Sequence, residues 1–599
     1  MADYKAPVNE TLFVLNDLLN FSQLNDIPEF AEATPDMVEA VVTEGGKFAA
    51  EVFAPINRTG DLAGSHAVDG EVVTAPGFKE AYQLFMDNGW LSLAQDPNYG
   101  GQGLPFTLHM AVSEYWDGAN MAMALCPMLA AGAIDAFGAH ASDDLKDIYL
   151  EKLISGEWTA SMCLTESHAG SDLSNLKTKA TPAVNDQHGE HYLLKGQKIF
   201  ITWGEHDMTE NIVHLVLAPL VDAPAGVKGL SLFVLPKYFV LEDGSLGDRN
   251  DIQVVSTEHK LGINASPTCV MAFGEKQGAV AYMIGEPGQG LTCMFTLMNH
   301  ARLEVGLEGV GLSERAYQDA VEYARERIQG RHPETGEATA IIEHADVQRM
   351  LMQMKSCIDA MRALCFDASI SHDLRGHAQN AEQKDYHAKR FALLTPITKA
   401  WCTELVNEVT SLALQVHGGM GYIEETGVAQ HYRDARITGI YEGANGIQAN
   451  DLLGRKLVRD QGAGFNALMA ELESTLNATE SNANLSTIAT HLKEAKQTLQ
   501  ETAQFVLDNA DSHAKFEGAV SFNFLMQMGF VLGAWYHLRS AAIASDQLQN
   551  SASDANFMQQ KIAAANFYTS QLLPRAAAYG AAVRDGGKYN CELKSEYFI

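Results

Sequence analysis

Apolar residues recur at helical spacing near the start of the chain, where Leu12, Leu15 and Leu19 share one face and Pro28 bounds the segment. The first 150 residues read as helical, with a second block leading from Gly77 into the loop "NGWLSLAQDPNYGGQGLP". Between Glu157 and Gly285 the pattern changes. "HYLLKGQKIFITWG", "NIVHLVLAPLV", "GLSLFVLPKYFV" and "CVMAFGE" are short β-branched and aromatic runs separated by turn residues. With no βαβ rhythm, an antiparallel sheet or small barrel is expected rather than a Rossmann unit. Helical spacing returns after "GEPGQGL", at Ala316, Ala320, Val321, Ala324 and Ile328, and again at Leu405, Val409, Leu412 and Val416. Leu485, Ile488, Leu492, Ala495, Leu499, Thr502 and Val506 alternate by three and four, which predicts a seam for another helix. The polar stretch "NATESNAN" before it is the best linker candidate.

The expected organisation is an N-terminal extension (1–35), a helical domain (36–158), a middle β domain (159–284), a helical bundle (285–462) and an additional helical domain (463–599). A chain of 599 residues has room for several such cores. One stretch, Phe522 to Leu538, is apolar enough to raise the question of a membrane span. It is short for one and carries Asn523, Gln527 and His537, so close packing of Gly529 and Gly533 in a buried helix is the expectation.

Charge narrows the partners. A formal charge of −33 repels nucleic acid and acidic membrane surfaces. Eight cysteines without a C-x-x-C pair fit a reducing cytoplasm better than a disulfide scaffold or structural zinc. The start, MADYKAPVNETLF, lacks the features of a signal peptide. No H-E-x-x-H, G-x-x-x-x-G-K-[ST] or G-x-S-x-G occurs, and no metal is expected. The glycines of "GLEGVG" lack a preceding strand and read as helix packing.

Three stretches are more specific. "CLTESHAGSD" (163–172) ends an apolar strand in small and hydroxyl residues whose backbone N–H groups can approach a flat ring or a phosphate. "KIFITWGEHD" (198–207) puts aromatics on a β segment, and "QVHGGMGY" (415–422) ends a helix in glycines. In "RITGIYEGANGIQAND" a single glutamate, Glu442, stands in an uncharged run between Arg436 and Asp451. A lone glutamate in such a loop could be a base with a raised pKa or a helix cap.

Together with "YGGQGLP", "MNHARL" and "IYEGANGIQ", these stretches resemble the acyl-CoA dehydrogenase family over residues 80 to 460. The chain's length, its run from 204 to 237 and its C-terminal helices resemble the roughly 600-residue bacterial branch that includes 3-methylmercaptopropionyl-CoA dehydrogenases. The resemblance implies a mainly α fold with a central small β domain: a helical domain, a β-barrel-like domain, a four-helix bundle and a C-terminal helical extension. It implies FAD-dependent α,β-dehydrogenation of an acyl-CoA thioester, as in fatty acid β-oxidation, with electron-transferring flavoprotein as acceptor. Glu442 matches the catalytic base, and apolar neighbours such as Ile440 are expected to raise its pKa. The slot where some relatives carry their base is Ala301, and Glu304 is expected to pair elsewhere.

The resemblance further implies FAD contacts at Met162, Leu164, Thr165, Ser171, Phe200 and Thr202. It adds Arg327, Gln329, Gln415, Gly418 and Gly419 for the phosphate and adenine end, across a subunit interface. Ser171, Asn299, Arg302 and Gly443 would line the substrate. Departures are Ser167-His168 where many relatives have Pro-Gly, Phe200 for tryptophan, and Ala444 for threonine. "NMAMALCPMLAAG" (120–132) lies where the acyl pocket should be, which favours medium or long chains, with the short thioether acyl-CoA as the alternative. An acyl-CoA oxidase is a rival within enzymes, and a nucleic-acid-binding alkylation-response flavoprotein is one from another class. The acidic charge, with no basic C-terminal patch, argues against the latter. A homodimer is expected, the C-terminal domain covering the face that relatives use to form tetramers.

Overall fold

The computed structural model describes residues 3–183, 188–550 and 554–598. The chain forms two compact units, one of residues 47–109 and 119–301, the other of residues 1–46, 110–118 and 302–599.

The first of these units is built on an eight-stranded sheet. Ile252–Thr257, Thr268–Phe273, Tyr192–Thr202, Ala279–Ile284, Leu230–Pro236, Asn211–Pro219 and Trp158–Cys163 lie side by side in that order, and Lys179–Pro182 pairs on Tyr192–Thr202. Cys163, Leu194, Ile201, Val216, Phe233, Cys269 and Met271 fill the core beneath it. The pairs within the sheet are antiparallel except one: Trp158–Cys163 runs parallel to Asn211–Pro219. A parallel neighbour needs a crossover, supplied here by the intervening strands rather than by a helix. The same unit holds a hairpin, His66–Val68 with Glu71–Val73, inside the stretch read as helical. Its turn is Asp69-Gly70, both at positive φ, the pairing that two-residue hairpins favour.

The other unit is helical. Helices Ala345–His377 and Ala381–His417 pack as neighbours joined by a short loop. The end of helix Gly290–Glu326 packs on the second of them through the glycines of "GLEGVG". A Cβ at Gly306 would lie 2.6 Å from Thr398 Cγ2, and one at Gly309 would lie 3.0 Å from the Cys402 carbonyl. Those glycines are packing residues, as their helical setting suggested. Ile328 is a correction: the helix stops at Glu326, and Ile328 is an exposed residue of the hairpin Ile328–Arg331 with Ala338–Ala340.

Helices Ala463–Thr479, Ser486–Asn509 and Phe516–Gln549 belong to the same unit. The seam holds at Ile488, Leu492, Leu499, Thr502 and Val506, which are buried. "NATESNAN" is no linker between bodies; it is the end of one helix and the turn into the next. Gly529 and Gly533 do the close packing expected of them, since a Cβ would meet the Trp401 indole at 2.3 Å and the Tyr568 hydroxyl at 2.2 Å. Phe106–His140 and Phe516–Gln549 are both long and apolar enough to cross a membrane, but 89% and 78% of their most apolar windows are buried in protein.

Candidate active site

Glu442 lies between the 3-10 turn Arg436–Gly439 and the helix Asn445–Asn450. Two hydrogen bonds to the Ile437 carbonyl, from Ile440 N (2.8 Å) and Tyr441 N (3.2 Å), close the turn behind it. Glu442 itself is at φ +52° and Gly443 at +88°, two left-handed residues in succession. An L-residue takes that conformation at a cost, which marks Glu442 as held by its surroundings. At Gly443 a side chain has no room: a Cβ would stand 2.5 Å from Gln448 Nε2 and 3.7 Å from Arg302 Nη2.

Residues on either side pin the turn. The Tyr441 hydroxyl donates to Glu308 Oε2. Asn445 is buried and accepts from Lys399 Nζ (2.9 Å) and Thr403 Oγ1 (3.0 Å), while its amide donates to Glu404 Oε1 at 2.7 Å. Between these pins, Glu442 Oε2 is buried without a hydrogen-bond partner. An orphaned carboxylate oxygen costs free energy and points to a ligand or a proton that completes it.

Burial pushes the Glu442 carboxyl up to about 7, against the opposing pull of Arg302 and then Lys399. Ile440 does not supply that burial, contrary to expectation; it is 53% exposed on the outside of the turn. Glu308 is pushed up to about 8, mainly by burial, and Asp117 lies well above the carboxylate range for the same reason. Glu304 is buried beside them, where its charge raises both. Ala301 is a buried methyl group and offers no alternative base.

The predicted residues of the sheet unit come together by themselves. Ile199 N bonds to the Thr165 carbonyl at 2.9 Å, which sets the strand end at Met162, Leu164 and Thr165 against the strand bearing Phe200 and Thr202. The Phe200 ring is 59% exposed and its backbone is left-handed at φ +60°. Ser171 is exposed as well, at the far end of the "TESHAGSD" turn. Sequence reasoning passed over what holds this turn. Lys198, with no exposed surface, donates to the carbonyls of Leu164 (2.9 Å) and Leu217 (2.8 Å) and to Glu166 Oε1 (3.0 Å). Glu166 also takes the backbone N–H groups of Lys177 and Thr178. The signal was Lys198, a charge inside apolar strand sequence, with the acid Glu166 just past the end of the strand Trp158–Cys163, since such charges are buried only when paired.

In the helical unit, Tyr323 stacks on His417 at 4.4 Å, which places the Arg327–Gln329 segment near the Gln415–Gly419 turn. Arg327 Nη2 donates to Gln329 Oε1 at 3.2 Å, and Arg327, Gln329, Gln415, Gly418 and Gly419 are all exposed. Arg302 lies beside Gly443, and Asn299 is one helical turn earlier on the same helix.

Comparison with known proteins finds likeness along most of the chain. Family models match in chain order: the acyl-CoA dehydrogenase N-terminal domain at 37–157, its middle domain at 161–275 and its C-terminal domain at 288–457. An acetyl-CoA dehydrogenase C-terminal-like model matches 468–594. A 3-methylmercaptopropionyl-CoA dehydrogenase of Ruegeria pomeroyi is 43% identical, with 98% of each chain covered. A butyryl-CoA dehydrogenase of Syntrophomonas wolfei is 31% identical over 96% of this chain and 95% of that one. The solved structure of an acyl-CoA dehydrogenase from Bacillus anthracis complexed with FAD shares the fold, with a TM-score of 0.72, 20% identity, and 95% and 90% of the two chains covered. With a buried carboxylate oxygen, Glu442 Oε2, left without a hydrogen-bond partner in its "YEG" turn and full-length likeness on both sides of it, this chain belongs to the acyl-CoA dehydrogenase family.

Proposed function

We propose that this protein oxidises a short acyl-CoA thioester, of the size of 3-methylmercaptopropionyl-CoA, to its α,β-unsaturated product, with Glu442 as the base. The observation that carries the chemistry is the buried Glu442 Oε2 without a partner, on a carboxyl raised to about 7. An α-proton beside a thioester is weakly acidic, so its acceptor must be strong, dry and fixed in place. Glu442 takes that proton, and its own backbone N–H donates to the thioester carbonyl where negative charge develops. Gly443 leaves the approach open. Arg302 beside it offsets the acidic background near an anionic CoA ester.

FAD, the family's cofactor, would supply the hydride acceptor for the β-hydrogen. The chain's residues fit a flavin: the exposed Phe200 offers an apolar face, with Thr165 and Thr202 on the paired strand ends beside it and Ser171 exposed further along the turn. Arg327, Gln329, Gln415, Gly418 and Gly419, all exposed, would hold the phosphate and adenine end of a second subunit's cofactor in a homodimer. Light scattering gives a dimer mass in this reading; a tetramer counts against it. The setting is a reducing cytoplasm, in keeping with eight buried, free cysteines.

The short acyl group is supported by the 43% identical relative. Met121, Met123, Leu125, Met128 and Leu129, in the stretch where the resemblance puts the acyl pocket, are buried, so the choice against the medium- or long-chain expectation rests on that relative. Turnover of a series from butyryl- to palmitoyl-CoA beside 3-methylmercaptopropionyl-CoA tests the choice. The highest kcat/KM falls on the four-carbon and thioether substrates, and a maximum at eight carbons or more overturns it. Reoxidation by electron-transferring flavoprotein without hydrogen peroxide separates a dehydrogenase from an oxidase.

A further inference from the structure

Lys399 has no exposed surface, yet among the described residues no carboxylate lies within ion-pair distance of its ammonium. Its hydrogen bond goes to a neutral amide, Asn445 Oδ1 at 2.9 Å, which Thr403 Oγ1 shares at 3.0 Å. Buried lysines are usually paired with an acid, because an uncompensated charge out of water is costly. Asn445 opens its helix three residues after Glu442, and its amide is held in turn by Glu404 at 2.7 Å. The lysine is therefore fixed beside the base turn, with its charge not taken up by an ion pair.

We propose that Lys399 is a positioning residue for the base: tethered through Asn445, its buried and unpaired ammonium holds the Glu442 turn and supplies a fixed positive charge to the base carboxylate. The inference rests on the reading of Glu442 as the base. The charged groups facing Lys399 are Glu442, Glu308, Arg302 and Glu404. Burial brings Lys399 down to about 8, opposed by Glu442 and then Glu308, so it still carries its proton at pH 7. Glu308, pushed up to about 8 by burial, accepts the Tyr441 hydroxyl and forms no ion pair with the lysine. On Glu442 the two opposing cations are Arg302, which lies beside Gly443, and Lys399, which is bonded to Asn445.

The test is an infrared pH titration of the holoenzyme, following the carboxyl band that disappears in Glu442→Gln. Replacement Lys399→Met raises the Glu442 midpoint by about one pH unit or more, and Lys399→Arg leaves it near the native value. At pH 7 the methionine variant loses about five-fold in kcat/KM, recovered at pH 9, as a one-unit rise in the base's pKa requires. Should Lys399→Met fail to fold, Lys399→Gln keeps a partner for Asn445 without the charge, and the same rise is expected. A folded neutral variant with an unchanged midpoint overturns the proposal. So does an arginine variant that shifts as far as the neutral ones, since the effect would then be structural. A shifted midpoint in a protein whose native form oxidises no acyl-CoA upholds the proposal and defeats the assigned activity.

Discussion

Glu442 carries two conflicting demands at the level of the single residue. A base must be ionised, and burial favours the neutral form. With a folded value of about 7, the active, ionised form is lost as pH falls through 7, so kcat/KM drops on the acid side with a midpoint there. Stability runs the other way. The carboxyl ordinarily titrates near 4.5, so between about 4.5 and 7 the folded state binds the extra proton and stability declines as pH rises through that window. Glu442→Gln is therefore more stable than the native protein at pH 8, by roughly 3 kcal/mol at most, and little different at pH 4. Thermal denaturation at the two pH values reads this directly; equal melting temperatures at pH 8 would remove the buried-carboxylate account. This residue was legible from its motif. Its left-handed backbone and its missing partner were not, since both depend on how residues 436–448 fold back on themselves.

Elements of the site are held by pairs that periodicity does not reveal. Helical spacing located the Ala381–His417 helix, but not that its Lys399 and Thr403 reach Asn445. A pattern of apolar positions reports which face is buried, not which polar residue on that face finds a partner. The hairpin at His66–Val73 was missed although its Asp69-Gly70 turn is a strong local signal, because the surrounding helices dominated the reading. Gly443→Ala tests the base turn as an element. Added atoms strike Gln448 Nε2 and the residue loses its freedom at positive φ, so the variant folds less stably by about 1–3 kcal/mol and loses activity at least ten-fold by misplacing Glu442. Unchanged kcat would show that the turn's conformation is not required. Phe200→Ala weakens FAD binding, read as release of flavin on gel filtration, while the buried Lys198–Glu166 pair keeps the sheet folded.

Across the helical unit, the order of elements was legible because helices and strands differ in period, and the family resemblance supplied their arrangement. How closely the last helices join the bundle was not. Gly529 lies against Trp401, and the Tyr536 hydroxyl donates to Asp367 Oδ2 at 2.6 Å. Lys561 joins Glu10 and Asp359, with Lys355 beside them. Ending the chain at residue 462 strips Trp401 of cover and takes Lys561 away from Glu10 and Asp359, leaving Lys355 alone between two acids, so the truncated protein fails to fold to a soluble form. A stable, FAD-binding fragment of residues 1–462 would contradict that. Within the bundle Arg362 is buried between Glu114 and Glu314, and Arg362→Met lowers stability by about 3–5 kcal/mol by leaving both acids unpaired.

The most direct test of Glu442 as the base is anaerobic titration of the native protein and of Glu442→Gln with 3-methylmercaptopropionyl-CoA and butyryl-CoA, followed in the flavin absorption band. Bleaching in the native protein, with a flavin-loaded but unbleached Glu442→Gln, is the expected result. Equal bleaching in both would place the base elsewhere.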